Sequence, residues 1–171
     1  MRVFIDFEAS SLSKWSYPIE VGWIFEDGRE ADFLIRPAPA WTDWDASAEA
    51  IHGLSRERLE REGTPHEIVC DRLVTSLGPH TIYASSPPWD GRWLSMLLRA
   101  AGRPRHLLRL RDSEEAFVEA ARERLGADAD EAAILALIAD VRARIEGEPV
   151  AHRALADARR EWAIWRALRA G

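Results

Sequence analysis

The sequence predicts an α/β domain: a mixed five-stranded sheet, its first three strands antiparallel, flanked by helices. Three observations carry that prediction. The chain opens with three apolar runs separated by turn signals, and it continues with helical stripes that alternate with short apolar runs. Its 171 residues fit one domain, long enough to bury roughly 70% of the surface the unfolded chain exposes.

Val3-Phe4-Ile5-Asp6-Phe7-Glu8 reads as a buried strand whose period of two sets Asp6 and Glu8 on one face and Phe7 on the other. Residues 19–26 and 30–36 are apolar runs on either side of Asp27-Gly28, a short-turn signal for an antiparallel hairpin. Short helices are expected over 47–52 and 55–62. Thr64-Pro65-His66-Glu67 offers a capping box with Pro at the first helical position, so a helix is expected over 65–76, burying Ile68, Val69 and Leu73. Residues 80–84 supply the fourth strand, and 89–101 a helix that ends near Gly102 with Asp90 close to its start. Residues 106–110 supply the fifth strand, and Asp112-Ser113-Glu114-Glu115 then caps a helix reaching Leu125. Over 128–146, Ile134, Ile138, Val141 and Ile145 recur at spacings of four, three and four, an amphipathic stripe ended by Gly147 and Pro149. The last helix, 153–170, is expected to bury Leu155, Ala158, Trp162 and Trp165 at similar spacing.

Composition narrows the function classes. Hydrophobic residues are 47% of the chain and charged residues 30%, which excludes disorder for most of it; the eight Trp are expected to serve the core. Cys70 is the only cysteine, so there is no intrachain disulfide and no multi-cysteine zinc site, and a reducing compartment is expected. The apolar start over 1–5 is too short for a signal peptide. The longest apolar run, 132–139, falls far short of the roughly 20 residues a membrane span needs. A cytoplasmic protein with no membrane partner is expected. The net charge of −6 argues against long-range binding to duplex nucleic acid, but not against an enzyme that holds a few phosphates through cations. Arg99, Arg103, Arg105, His106, Arg109 and Arg111 form the densest positive segment, either a track for a phosphate backbone or a solvated face.

Three clusters carry chemistry: Asp6-Phe7-Glu8, Asp90, and His152-x-x-x-x-Asp157. Hard divalent cations prefer anionic oxygens, and two of them about 3.5 to 4 Å apart clamp the attacking and leaving oxygens of a phosphodiester. Asp6 interrupts an apolar strand, a costly place for a carboxylate that is neither paired nor bound to metal. His152 and Asp157 lie five apart, about 140° around a helix. His152 is therefore better placed in the loop, with Asp157 pointing inward from the first turn and a half. Taken alone, Asp157 is equally suited to complement the helix dipole, with His152 incidental.

The order Asp-x-Glu, Asp, His-x-x-x-x-Asp resembles the DEDDh group of 3′-5′ exonucleases, the DnaQ-like proofreading enzymes and their RNA-trimming relatives, within the ribonuclease H-like superfamily. The resemblance covers nearly the whole chain. It is supported by Phe4-Ile5-Asp6-Phe7-Glu8, Tyr17-Pro18-Ile19-Glu20-Val21-Gly22, Ala50-Ile51-His52-Gly53-Leu54-Ser55, and Arg111-Asp112-Ser113, where relatives often carry Asp-Thr. It implies that Asp6, Glu8, Asp90 and Asp157 bind two Mg²⁺ or Mn²⁺ and that His152 is the general base, releasing nucleoside 5′-monophosphates from single-stranded DNA or short RNA. The implied partner is a nucleic-acid 3′ end; the oligomeric state stays open, a homodimer among the options. There are two departures. Ser86 and Trp89 stand where relatives usually have Asn and often Phe, with Pro87 and Pro88 between, and Ala9-Ser10-Ser11 replaces the common Thr-Thr-Gly. On the substrate side the candidates are Phe7, Ser10, Trp15, His52, Ser86 and Trp89. Aromatic stacking on a base is worth about 1 to 3 kcal/mol, although the strand period also assigns Phe7 to the core, and His52 suits cap-and-packing as well as a nucleotide pocket. The alternative to an enzyme is a module that keeps this fold for nucleic-acid or protein binding without turnover, motivated by the acidic surface and the Ser86 and Trp89 departures.

Overall fold

The computed structural model describes residues 1–126, 128–145 and 152–170. Strands β1 (Arg2–Ala9), β2 (Pro18–Phe25) and β3 (Glu30–Arg36) form an antiparallel meander. Gly28 turns the β2–β3 hairpin at a φ of 89°, a left-handed conformation that costs glycine nothing because it has no Cβ. Helices α1 (Ala46–His52) and α2 (Arg56–Glu62) follow, each capped by a side chain that accepts a backbone N–H, Asp45 from Ser47 and Ser55 from Arg58. The chain continues through β4 (Thr64–Pro65), α3 (His66–Leu77), β5 (Thr81–Ala84), α4 (Pro87–Ala100), β6 (Leu110–Asp112), α5 (Ser113–Leu125), α6 (Glu131–Ile145) and α7 (Ala154–Arg169).

The sheet order is β4-β3-β2-β1-β5-β6, with β5 parallel to β1, β6 parallel to β5 and β4 parallel to β3. It is the expected mixed α/β sheet with one strand more than expected. The additional strand is β4. Gly63 lies so close to β3 that a Cβ there would stand 2.6 Å from the Arg36 N. Thr64 is thereby drawn into pairing with Ile35, and the expected Thr64 capping box does not form; α3 begins at His66 without a side-chain cap. Val69 and Leu73 are buried as expected, whereas Ile68 is 49% exposed. Both edge strands are short, which limits edge-to-edge pairing with other chains.

Two further boundaries differ from the expectation. The strand expected over 106–110 runs instead over Leu110–Asp112, because Ile82 pairs with Leu110 and Ala84 with Asp112, and Asp112 closes the strand as the capping-box residue of α5. Helix α4 starts at Pro87, so both prolines lie in its first turn, where a missing N–H removes no helical hydrogen bond. The expected stop at Gly147 and Pro149 lies outside the described residues. Among the described residues no helix is long and apolar enough to cross a membrane.

The period of two in β1 divides the core. Val3, Ile5 and Phe7 pack with α3 and α4 side chains such as Leu73, Leu94 and Leu97, while Phe4 packs with Phe117, Ile138 and Trp165 beneath α5, α6 and α7. Four of the Trp, at 23, 41, 93 and 165, are buried, whereas Trp15 is 68% exposed. Helix α7 crosses β1 and β2 with its backbone against the sheet. A Cβ on Gly22 would lie 2.4 Å from the Leu155 N and 2.5 Å from its Cα. Glycine is therefore needed at 22 for α7 to sit where it does, and Leu155, expected to enter the core by its side chain, meets the sheet through its backbone while Ala154, Ala158 and Trp165 are buried. Gly22→Ala is expected to destabilise the protein by about 2 to 4 kcal/mol, since backbone cannot rotate away from the added methyl. Urea unfolding that leaves the midpoint unchanged would contradict this packing.

Candidate active site

The chain brings its acidic clusters together at the end of the central strand. Asp6 and Glu8 lie on the face of β1 that α7 covers, opposite Gly22 and Glu20 of β2 in the register. Asp157, on the first turn of α7, reaches both: one carboxylate oxygen from each of Asp6, Glu8 and Asp157 lies within 4.8 Å of the others, and all three residues are half-buried. Gly22 permits the approach and Glu20 locks it. Glu20, 1% exposed, accepts from Arg153 Nε at 2.9 and 3.0 Å, from Arg153 Nη2, and from the Ala154 N–H at 3.1 Å. It is both the ion-pair partner and the N-terminal cap of α7, as a carboxylate beside a helix N-terminus should be.

Asp90 arrives from the other layer. It is 2% exposed, on the first turn of α4, and its Oδ2 accepts from the Ser86 N–H at 3.2 Å. Asp90 stands outside the tight trio but within its field. Desolvation by burial, then repulsion from Asp90 and Glu8, push the Asp6 carboxyl well above its ordinary value. Desolvation, followed by repulsion from Glu20, raises Glu8 to about 7. Asp90 is also raised to about 7, by burial, although backbone N–H groups of Ser86 and Phe7 favour its charged form. Oxygen donors gathered this closely, with raised carboxyl pKa values, fit a divalent cation.

Two residues of this site were missed in the sequence. Arg160 forms an ion pair with Asp157 from the same helix, and its Nε is buried with no partner among the described residues. Glu161 is half-buried, accepts from Ser113 Oγ, and repels both Asp6 and Asp90. The available signal was spacing: three and four residues beyond Asp157 is one helical turn, hence the same face. His152 is exposed just before α7, the loop position expected for it.

The substrate-side candidates separate. Phe7, 4% exposed, belongs to the core with α3 and α4, on the face away from the carboxylates. Ser10 is fully buried, its hydroxyl donating to Asp43 at 2.9 Å and accepting from the Tyr17 N–H at 3.2 Å. Ser11 and Ser13 donate to the same Asp43 at 2.6 and 2.8 Å, so the serines fasten the β1–β2 loop. Desolvation works against the charged form of Asp43, yet these hydroxyls together hold its carboxyl below its usual value. Trp15 stands on that loop beside a cavity of about 480 Å³ shared with Trp41 and Met96. His52, 6% exposed, accepts from the Leu54 N–H at 3.1 Å through Nδ1, while its Nε2 is buried without a partner among the described residues. Burial lowers its pKa, and it lies within the field of Glu20 and Arg153. Ser86 is the N-cap residue just before α4, contributing its backbone N–H to Asp90, and Trp89 packs on Trp93 with ring centroids 5.7 Å apart.

A mixed sheet of this order flanked by helices, with acidic side chains meeting on its β1 strand beneath the last helix, has the fold of exonuclease I. Solved structures that share it include those of exonuclease I. E. coli exonuclease I in complex with a dT13 oligonucleotide has a TM-score of 0.68 at 14% identity, over 99% of this chain and 41% of that one. Exonuclease I from Methylocaldum szegediense has a TM-score of 0.67 at 18% identity, over 98% of this chain and 40% of that one. The zinc-bound E. coli exonuclease I–ssDNA complex has a TM-score of 0.66 at 15% identity, over 95% and 39%. This chain thus spans about two fifths of the length of those chains, and at such identities the likeness is one of fold. No protein-family model matches the chain, and no curated protein sequence matches it.

Glu20→Ala is expected to cost about 2 to 3 kcal/mol, less than a fully buried pair because Arg153 can turn to solvent, and to weaken Mn²⁺ binding by releasing the start of α7. Calorimetry showing unchanged Mn²⁺ affinity would count against Glu20 as the lock. The raised carboxyls also set a pH dependence. Folded, metal-free protein keeps a proton on Glu8 up to about pH 7, whereas the unfolded chain releases it near its ordinary value of about 4.3. The contribution to stability is therefore complete below that ordinary value and is lost as pH rises through about 7. In chelator the melting temperature should fall between about pH 4.5 and 7 and level off above, and added Mn²⁺ should restore more of it at the higher pH. A flat or rising chelator profile would contradict the assignment.

Proposed function

We propose that this protein is a metal-dependent 3′-5′ exonuclease of the DEDDh type, acting on single-stranded DNA or short RNA. The observation that carries the reading is the convergence of Asp6, Glu8 and Asp157 oxygens within 4.8 Å, with Asp90 beside them. The fold shared with exonuclease I, whose structures include complexes with single-stranded DNA, supports it. Asp6, Glu8, Asp90 and Asp157 would hold two Mg²⁺ or Mn²⁺. Such cations, when bound, lower the pKa of water and neutralise charge on the phosphate.

The chain's own residues do the rest. The four carboxylates release their protons as the cations bind. His152, exposed just before α7, would take the proton of the attacking water at near-neutral pH. The oxygen attacks the terminal phosphorus in line, the bond to the 3′ oxygen breaks, and a nucleoside 5′-monophosphate leaves a strand shortened by one nucleotide with a new 3′-hydroxyl. Trp15 offers the exposed ring for stacking the terminal base, and the buried Nε2–H of His52 is a donor available to that nucleotide. Trp89 and Ser86 frame the approach to Asp90.

Asp6→Asn or Asp157→Asn should reduce trimming of a 5′-labelled oligonucleotide by at least about 10³-fold, and His152→Ala by about 10² to 10⁴-fold. Chelation should abolish trimming in every case. Purified protein that degrades neither DNA nor RNA with Mg²⁺ or Mn²⁺ overturns the proposal. A second reading, a nucleic-acid-binding module without turnover, draws on Arg160, which already supplies Asp157 with a cation from within the chain. Calorimetry separates the two: the exonuclease binds two Mn²⁺ ions, and the module does not.

A further inference from the structure

Beside α4 lies a groove of about 370 Å³, lined by Pro87, Gly91 and Leu94 on one side and by Arg105, His106 and Arg109 on the other. Between Pro87 and Leu94 it follows about 10 Å of the helix, at 1.5 Å per residue, and Gly91 on its floor is next to Asp90 in the sequence. No carboxylate lines it. Of the positive segment between 99 and 111, the fold commits Arg103 to Asp71 at 2.8 Å and Arg111 to Glu115 and Glu119 at 2.6 and 3.3 Å. Arg105 and Arg109 have no acidic partner among the described residues. Arg105 donates only to the His106 ring, at 2.8 Å, and both arginines are exposed on the groove wall.

Gly91 is an independent sign. It lies inside α4, where glycine costs about 0.5 to 1 kcal/mol relative to alanine, and its backbone has no positive φ. An added Cβ would meet nothing within 4 Å. Neither the packing nor the backbone of this protein therefore requires glycine there. Its bareness matters only to something that approaches the groove floor from solvent, and in a chain of net charge −6 two unneutralised guanidinium groups across that floor select an anion.

We propose that this groove is a phosphate-binding subsite for the strand upstream of the scissile bond, in which Arg105 and Arg109 each contact a phosphate of single-stranded nucleic acid and Gly91 lets the sugar-phosphate backbone lie against α4. The inference rests on the exonuclease reading for the direction of the strand. It assigns the groove to affinity for length, while the carboxylate site handles the terminal bond. Guanidinium groups suit this role because they remain charged at all working pH values and fork onto phosphate oxygens.

The test is binding of 5′-labelled oligothymidylates, an octanucleotide and a dinucleotide, by fluorescence anisotropy in Ca²⁺ over a range of salt. The Arg105→Ala/Arg109→Ala double variant should bind the octanucleotide about tenfold more weakly at low salt, with a log–log salt slope shallower by about 1.4, the loss of two single-strand phosphate contacts. Its dinucleotide affinity should be unchanged. Gly91→Ala should melt at a higher temperature than the wild type and yet bind the octanucleotide more weakly, a pairing of effects that misfolding does not produce. Wild-type affinity and slope in the double variant, or equal losses for both oligonucleotides, would overturn the subsite. If the subsite fails while the wild type still trims oligonucleotides, the exonuclease reading stands. If the variant loses the salt slope but the wild type never trims, the groove stands and the exonuclease reading falls.

Discussion

The seating of α7 on β2 is the constraint from which the site follows. Gly22 removes the side chain that would hold the helix off the sheet, and the buried Glu20 carboxylate binds the helix start through Arg153 and the Ala154 N–H. These two residues lie opposite Asp6 and Glu8 in the register, so the contact that docks the helix also delivers Asp157 to the strand carboxylates. A shift of α7 along the sheet would break the ion pair and scatter the trio. Packing and chemistry are thus coupled through one strand pair.

The cost of the arrangement is electrostatic. Asp6, Glu8, Asp157 and Asp90 are gathered where water is scarce, with Glu161 close enough to add to the repulsion. In the protein alone raised carboxyl pKa values keep protons in the cluster, and the Arg160 guanidinium against Asp157, Arg153 near Glu8 and the Ser86 and Phe7 N–H groups on Asp90 offset part of the repulsion. Divalent cations would relieve it far more completely. A fold that accepts such a cluster at the end of its central strand trades stability for a site, as functional centres commonly do.

Much of the site was legible because strand geometry is local. The alternation in β1 sends Asp6 and Glu8 to one side and Phe7 to the core, and the five-residue step from His152 to Asp157 separates loop from helix. What escaped reading depended on contacts between distant segments. Ser10 resembles a substrate contact until Asp43, 33 residues later, collects its hydroxyl. The run of basic residues after α4 looks uniform until Asp71, Glu115 and Glu119 neutralise some members and leave Arg105 and Arg109 facing a groove. Glu161 and Arg160 carry no motif; only the direction in which α7 presents its first turns brings them into the cluster.

By itself the sequence determined the class of fold, the order of its elements and the residue types able to bind cations, because apolar periodicity, caps and turn residues act over a few positions. The tertiary structure alone decided the sixth strand at Thr64, drawn in by the close approach of Gly63 to Arg36, and the shift of β6 to the residues that β5 could pair and Asp112 could cap. It also decided which carboxylates meet. Their meeting rests on the backbone contact between Gly22 and Leu155, two positions 133 residues apart, and no local pattern encodes a distance of that kind.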